Sequence, residues 1–320
     1  MKPGLLLLLL HLLLWLAGPL HAEAVFPWSK QIPGQIAADA LHPDTVLDEQ
    51  PCDWRPVLVP LFRPLVADCT SPREAVLRIA SSIGATTGVY YSMERRKPEM
   101  NALEALAEKK VSCTGQSILL VCALRSIGIP ARAAGILTWN HIQGNHTWAE
   151  AWFDGAWHMI EFDEKDFNTP WVLENIGMLD PRHPYQRVMA ATPSGKESWI
   201  PAGIAAKMGR KCLPAEDVSE RYLSLARDWY ARAGIPADTQ RLLIDFQPRP
   251  ASPPVVELIN EQGGVISAAR LPSCTDDVRY FCRLLLPRSG QHYLRLQGTE
   301  EKLGVAPTSA PVQILRLGSY

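Results

Sequence analysis

The residue types in this chain that could do chemistry sit in two short stretches. The first, KKVSCTGQSILLVCALRSIGIPAR (Lys109 to Arg132), puts Cys113 at the mouth of an apolar run with helical character. A thiol at a helix N-terminus sees the positive end of the helix dipole, which favours the thiolate. Nucleophilic catalysis then needs a base within hydrogen-bond reach and a third group to orient that base. The second stretch, NHTWAEAWFDGAWHMIEFD (Asn145 to Asp163), holds candidates for both. Asp154-Gly155 between two alternating runs calls for a hairpin with a two-residue type I′ turn. With that turn, Trp152 faces Trp157, Glu150 faces Met159, Trp148 faces Glu161 and His146 faces Asp163. Directly opposed residues share a face, with Cβ atoms about 5 Å apart. The register therefore predicts that Asp163 holds one nitrogen of His146 and leaves the other for Cys113.

Face and position separate the rivals for each role. Glu161 shares the face of Asp163 but lies two residues nearer the turn, so it meets His146 only on a diagonal or across a longer turn. Glu164 points to the other face. His158 falls on the opposite face of its strand from Asp163, and His141 precedes the predicted strand, at the entrance. Asn145-His146-Thr147 is an N-glycosylation sequon, but a glycan there would block the base, so the sequon reads as accidental.

In order, spacing and expected secondary structure the two stretches resemble the transglutaminase-like superfamily. That core reads as a cysteine opening a helix, a G-I-P-A-R segment, an H-x-W strand and a G-x-W return ending in Asp. The resemblance covers about residues 72–190. It implies a papain-like α+β fold, a Cys-bearing helix packed on an antiparallel sheet, with Cys113 as nucleophile, His146 as base and Asp163 as the orienting carboxylate. This sequence departs from the pattern at one point: the family's aspartate follows the tryptophan more closely than Asp163 does and is often followed by proline, a spacing that would put Glu161 in the role and leaves the two carboxylates as alternatives. The implied chemistry is acyl transfer from an amide through a thioester, with a protein or peptide as substrate, no cofactor, and hydrolysis favoured over crosslinking. The competing reading is a binding or scaffold protein that uses the same core without catalysis.

Other elements must position these residues. SPREAVLRIASSIGATT starts with Ser71 as N-cap, Pro72 in the first turn and Glu74 in a capping box, so a helix is expected there. NALEALAEKK is a second helix, and the Cys113 helix is the third, ended by Gly128 and Pro130. ARAAGILTW reads as a strand. Residues 25–70 are proline-rich and are expected to form an arm wrapped on a core at 71–195. A helical extension and linker follow at 196–250, with PAEDVSERYLSLARDWYARAGIP as a helix. Five short strands after residue 251 suggest a small β-sandwich-like domain. Five of the ten tryptophans lie between Trp139 and Trp171. Trp152 and Trp157 are expected as a cross-strand pair, whereas Trp139, Trp148 and Trp171 are candidates for the wall of a substrate cleft, with His141 at its mouth. Arg132 reads as a structural ion-pair partner.

Bulk properties narrow the partners. The chain has 320 residues, 32 basic against 33 acidic, and a formal net charge of -1, without a basic stripe. Nucleic-acid binding and a polybasic membrane anchor are not expected. Residues 1–24 have a basic start, a leucine-rich run and an Ala22-Glu23-Ala24 cleavage site, the layout of a secretory signal peptide. The expectation is an exported, periplasmic or secreted protein without stable membrane insertion. Export permits disulfides, and Cys52–Cys69 and Cys274–Cys282 are plausible local pairs among seven cysteines. Cys122, mid-helix among apolar residues, reads as a buried thiol. Neither zinc-ligand spacing nor a calcium loop is present in the sequence.

Overall fold

The computed structural model of this chain describes residues 26–140, 144–180, 182–207, 209, 211–234, 236, 238–276, 281–308 and 312–318. The segment read as a signal peptide and the candidate His141 lie outside the described residues. The fold is α+β and divides into two compact units. The first comprises residues through Ile136, His146–Thr169 and Val188–Asp217; the second comprises Leu137–Asn145, Pro170–Arg187 and residues from Val218 on.

Five helices lead the chain: α1 (Gly34–Ala40), α2 (Arg55–Phe62), α3 (Pro72–Thr87), α4 (Ala102–Glu108) and α5 (Cys113–Ser126). Strands β1 (Tyr90–Tyr91) and β2 (Lys110–Val111) pair in parallel just before Cys113. Then come β3 (Ala131–Ile136), β4 (His146–Phe153), β5 (Ala156–Ile160), α6 (Pro170–Ile176), β6 (Met189–Ala191), β7 (Glu197–Ser198), α7 (Ala202–Lys207) and β8 (Pro214–Asp217). The six later strands of the first unit form one antiparallel sheet in the order β5-β4-β3-β6-β8-β7.

Helix α5 is buried on nearly every side, from Thr114 to Ser126. A helix that is apolar all round belongs inside a core, which is where this one lies. Ile118, Leu119 and Leu120 share a cluster with Ile79 and Ile83 of α3, Ala149 and Ala151 of β4, and Trp54, Leu58 and Phe62. The last three correct the reading of residues 25–70 as an arm. VLVPLF is helical in α2, with Pro60 inside it, and supplies large side chains to the core. Arg125 ties this region to α5. Its guanidinium donates to the carbonyls of Ala40, Pro43, Thr45 and Ala131 at 2.8–3.0 Å.

The capping expectations are met in part. Ser71 accepts from the Glu74 N–H at 3.2 Å, but the Glu74 carboxylate reaches Thr70 N–H instead of closing the box on Ser71. The full capping box is at α4, between Asn101 and Glu104.

In the second unit α8 (Ser219–Arg232) precedes β9 (Thr239–Gln247), β10 (Val255–Asn260), β11 (Val265–Arg270), β12 (Cys282–Pro287), β13 (His292–Leu296), β14 (Leu303–Val305) and β15 (Val312–Gly318). They form two sheets, β11-β10-β13-β14 and β12-β9-β15, with β15 parallel to β9. Leu242 and Ile244 of β9 face the core shared by the two sheets, and Leu243 faces Tyr230 of α8 and Phe281. Two expected boundaries shift. Pro214–Asp217 is a strand of the first unit instead of the start of a helix, and β9 lies N-terminal to the proline-rich linker yet belongs with the C-terminal strands. All seven cysteines are free, so neither expected disulfide pair forms.

Candidate active site

Cys113 is the first residue of α5 and His146 is the first residue of β4. Ser112 caps the helix by accepting from the Gly115 N–H at 3.0 Å, which leaves the early N–H groups of α5 around the thiol. Hydrogen bonds next to each residue hold helix to strand. Thr114 and Thr147 hydroxyls lie 3.2 Å apart, and Ser117 Oγ–H is shared between Cys113 O at 2.8 Å and Thr147 O at 2.9 Å. The residues following the thiol and the imidazole are thus tied directly to each other.

The carboxylate beside His146 is Glu161, not Asp163. His146 Nε2 lies 2.5 Å from Glu161 Oε1, and both side chains are close to 90% buried. The hairpin follows the expected register through Trp152↔Trp157, Glu150↔Met159 and Ala149↔Ile160. Both turn residues have positive φ, 51° at Asp154 and 75° at Gly155, as a type I′ turn requires. The ladder then stops. β5 ends at Ile160, and Asp163 takes a left-handed φ of 61°, so the chain turns off before Asp163 can lie opposite His146. Glu161, at the point of departure, reaches His146 along the diagonal. Asp163 is exposed and bonds α3 instead: its N–H donates to Ala80 O at 2.9 Å and its Oδ1 accepts from Gly84 N–H at 2.8 Å.

The electrostatics follow from these contacts. Burial alone would raise the Cys113 thiol, but the hydrogen bond and charge of His146, with bonds from Thr147 N–H and Thr114, outweigh it and lower the pKa. Burial alone would lower His146. The Glu161 charge and the bonds to Cys113 and Glu161 outweigh it and raise its pKa to about 9. With Nε2 on Glu161, Nδ1 is the nitrogen left for Cys113. This combination stabilises a thiolate–imidazolium pair.

A family model described as the transglutaminase-like superfamily matches residues 60–162, a span that includes Cys113, His146 and Glu161. The chain carries a transglutaminase-like domain. None of the curated proteins compared matches the chain. Among solved structures it is similar to a candidate cysteine protease from Cytophaga hutchinsonii, at 19% identity over 41% of this chain and 43% of that one, with a TM-score of 0.34. It is similar to the periplasmic domain of TgpA from Pseudomonas aeruginosa at 20% identity, over 35% of this chain and 45% of that one, with a TM-score of 0.27. Red sea bream transglutaminase gives 9% identity over 87% of this chain and 64% of that one, with a TM-score of 0.40. The chain thus spans less than two thirds of each of these proteins.

Around the site of the transglutaminase-like domain the remaining candidates part company. Trp148 is fully buried, with its ring centroid 5.8 Å from that of His146, so it backs the imidazole and does not wall an open cleft. Trp139 and Trp171 lie in the second unit, edge to face at 6.1 Å. Trp152 and Trp157 form the expected cross-strand pair at 5.4 Å. His158 stacks on Phe153, away from Cys113's partners. Arg132 is structural, paired with Glu150 and Glu216 at 2.8 Å each and seated 4.0 Å from the Trp157 ring. Among the described residues, no cluster of His, Cys, Asp or Glu is gathered to hold a metal.

One aromatic escaped the sequence reading. Trp199 lies so close to Gly135 that a Cβ there would sit 3.2 Å from its ring and 2.6 Å from His146 O. Gly135 pairs with Thr147, so the indole is on the face where the transglutaminase-like domain joins α5 to β4. Nothing in the spacing around Trp199 signals this; only the return of the chain through β6 to β8 brings it there.

Proposed function

We propose that this chain is an exported thiol enzyme that cleaves amide or peptide bonds with Cys113, His146 and Glu161. The observation that carries the reading is His146, held by Glu161 at 2.5 Å and hydrogen-bonded to a thiol at a helix N-terminus. The Cys113 thiolate attacks the amide carbonyl, and the oxyanion gathers at the Cys113 N–H. The C–N bond breaks as His146 passes its proton to the departing amine, leaving a thioester. His146, now neutral, takes a proton from water, whose hydroxide attacks the thioester carbonyl and releases the acid and the thiolate. Glu161 keeps the imidazolium oriented through both steps. Hydrolysis is favoured over transfer to a second amine because water reaches a thioester at this half-buried thiol unless the substrate covers it. Residues 1–24 support delivery to a periplasmic or secreted location.

A neutral alkylating reagent applied across pH tests the pairing. Cys113 labelling is expected to show an inflection below the ordinary thiol range, near 8.5, and His146→Ala is expected to return it there. An inflection that ignores His146→Ala sinks the proposal. Mass spectrometry of a peptide mixture incubated with wild type and Cys113→Ala then distinguishes cleaved from crosslinked products.

A further inference from the structure

Among the described residues, no ladder pair holds the backbone of Glu161. The last ladder pair is Ala149↔Ile160, and Glu161 follows where pairing has ended. Its Oε1 is on His146, and its Oε2 is buried without a hydrogen-bond partner among the described residues. The direction of the side chain is therefore set by the backbone that leaves β5, and that backbone is anchored two residues later.

The anchor is Asp163. It bonds two backbone groups one helical turn apart in α3: Ala80 O through its own N–H, and Gly84 N–H through its carboxylate. Within an unbroken α-helix those two groups would face each other, so Asp163 clips onto the side of the helix like an added residue. The fit demands glycine at 84. A Cβ there would stand 2.2 Å and 2.6 Å from the two carboxylate oxygens. Helix α3 is itself fixed by Ile79 and Ile83 in the cluster that holds α5. The far end of the loop is tied as well: Phe167 packs on Phe153 and His158, and Asn168 N–H donates to Met159 O at 3.1 Å.

We infer that Asp163 is a positioning residue, which holds Glu161 against His146 by clipping the turn at 161–163 to Ala80 and Gly84 of α3. Its own hydrogen bonds run to α3 and not to the imidazole. The inference rests on the reading of Cys113, His146 and Glu161 as the reacting set.

The test compares Asp163→Asn with Asp163→Gly in the full chain. Asparagine tolerates the left-handed backbone and keeps an oxygen for Gly84 N–H; glycine tolerates the backbone and removes the acceptor. Asp163→Asn is expected to keep the pH profile of Cys113 alkylation near that of wild type. Asp163→Gly is expected to move the inflection up by about one unit, a roughly tenfold fall in labelling rate below it. Gly84→Ala should imitate Asp163→Gly, and the double variant should be no worse than Asp163→Gly, since the collision and the clip disappear together. Equal losses in Asp163→Asn and Asp163→Gly would overturn the inference, because the charge and not the clip would then matter. So would an unmoved profile in Asp163→Gly, whatever its unfolding temperature. Failure of the underlying reading has its own signature: Glu161→Gln would leave the profile unchanged.

Discussion

His146 links the reactivity of the site to the stability of the fold through one proton. Its pKa rises to about 9 on folding, against burial, because Glu161 and Cys113 both favour the imidazolium. A group raised on folding stabilises the native state fully below its unfolded pKa, near 6.5, and that contribution disappears as pH climbs through about 9. Cys113 has the opposite sign: lowered on folding, it contributes above the ordinary thiol value and loses that contribution as pH falls through its folded value. The unfolding temperature of wild type should therefore exceed that of His146→Asn most clearly near neutral pH, and the gap should narrow as pH passes about 9. A gap that stays constant from pH 6 to 10 would contradict the electrostatic account. The meeting of Cys113 with His146 was legible in the sequence because Ser112 marks the start of α5 and the Asp154-Gly155 turn, which closes β4, sets the register of the strand that His146 opens. Glu161 was legible only as the runner-up. Deciding between it and Asp163 required knowing that the ladder stops at Ile160, and residue types carry no sign of the α3 contact that turns the chain away.

The elements are held to one another by side chains that satisfy backbone groups. Arg125 is the plainest case, a fully buried guanidinium on four carbonyls from three segments. Burial lowers its pKa to about 10, so it remains a cation at neutral pH. Arg125→Met is expected to cost about 3–5 kcal/mol, because the carbonyls it served are left dry and unpaired. Denaturant unfolding measures this, and a loss under about 1 kcal/mol would show that water replaces the guanidinium. Arg125, for α1, and the core packing of Leu58 and Phe62, for α2, explain why these helices were missed. Their local pattern is weak and interrupted by prolines, and what makes them structured is docking onto a distant helix. The hairpin is the converse case: its turn chemistry and alternation are local, and its register was read correctly for as long as the ladder lasts. Pro214–Asp217 was read as helical for its acidic residues, but its strand is imposed by partners in β6 and β7.

At the scale of the whole molecule, the chain crosses between its two units more than once, so boundaries drawn along the sequence could not coincide with them. Five of the short C-terminal strands were legible as short runs of strand-forming residues, whereas β14 was not. β9, whose apolar run is covered on both faces, gave no alternation to read. The thiols offer a test across the entire fold. Cys212 and Cys274 are exposed, burial raises Cys122 and brings Cys282 up to about 12, and Cys113 is lowered. Native protein should show Cys113, Cys212 and Cys274 as its fast-reacting thiols, with Cys122 and Cys282 silent until unfolding. Seven should titrate once the chain is unfolded without reductant; a count of five or three would reveal disulfides instead. The clip between Gly84 and Asp163 has a consequence in time. The bond from His146 to Glu161 closes over 15 positions, whereas the one from Gly84 to Asp163 closes over 79. Wider loops cost more entropy to close and tend to be completed later. On the reading proposed above, a chain still folding therefore carries an ordinary, sluggish Cys113, which becomes reactive only when segments 79 positions apart have met.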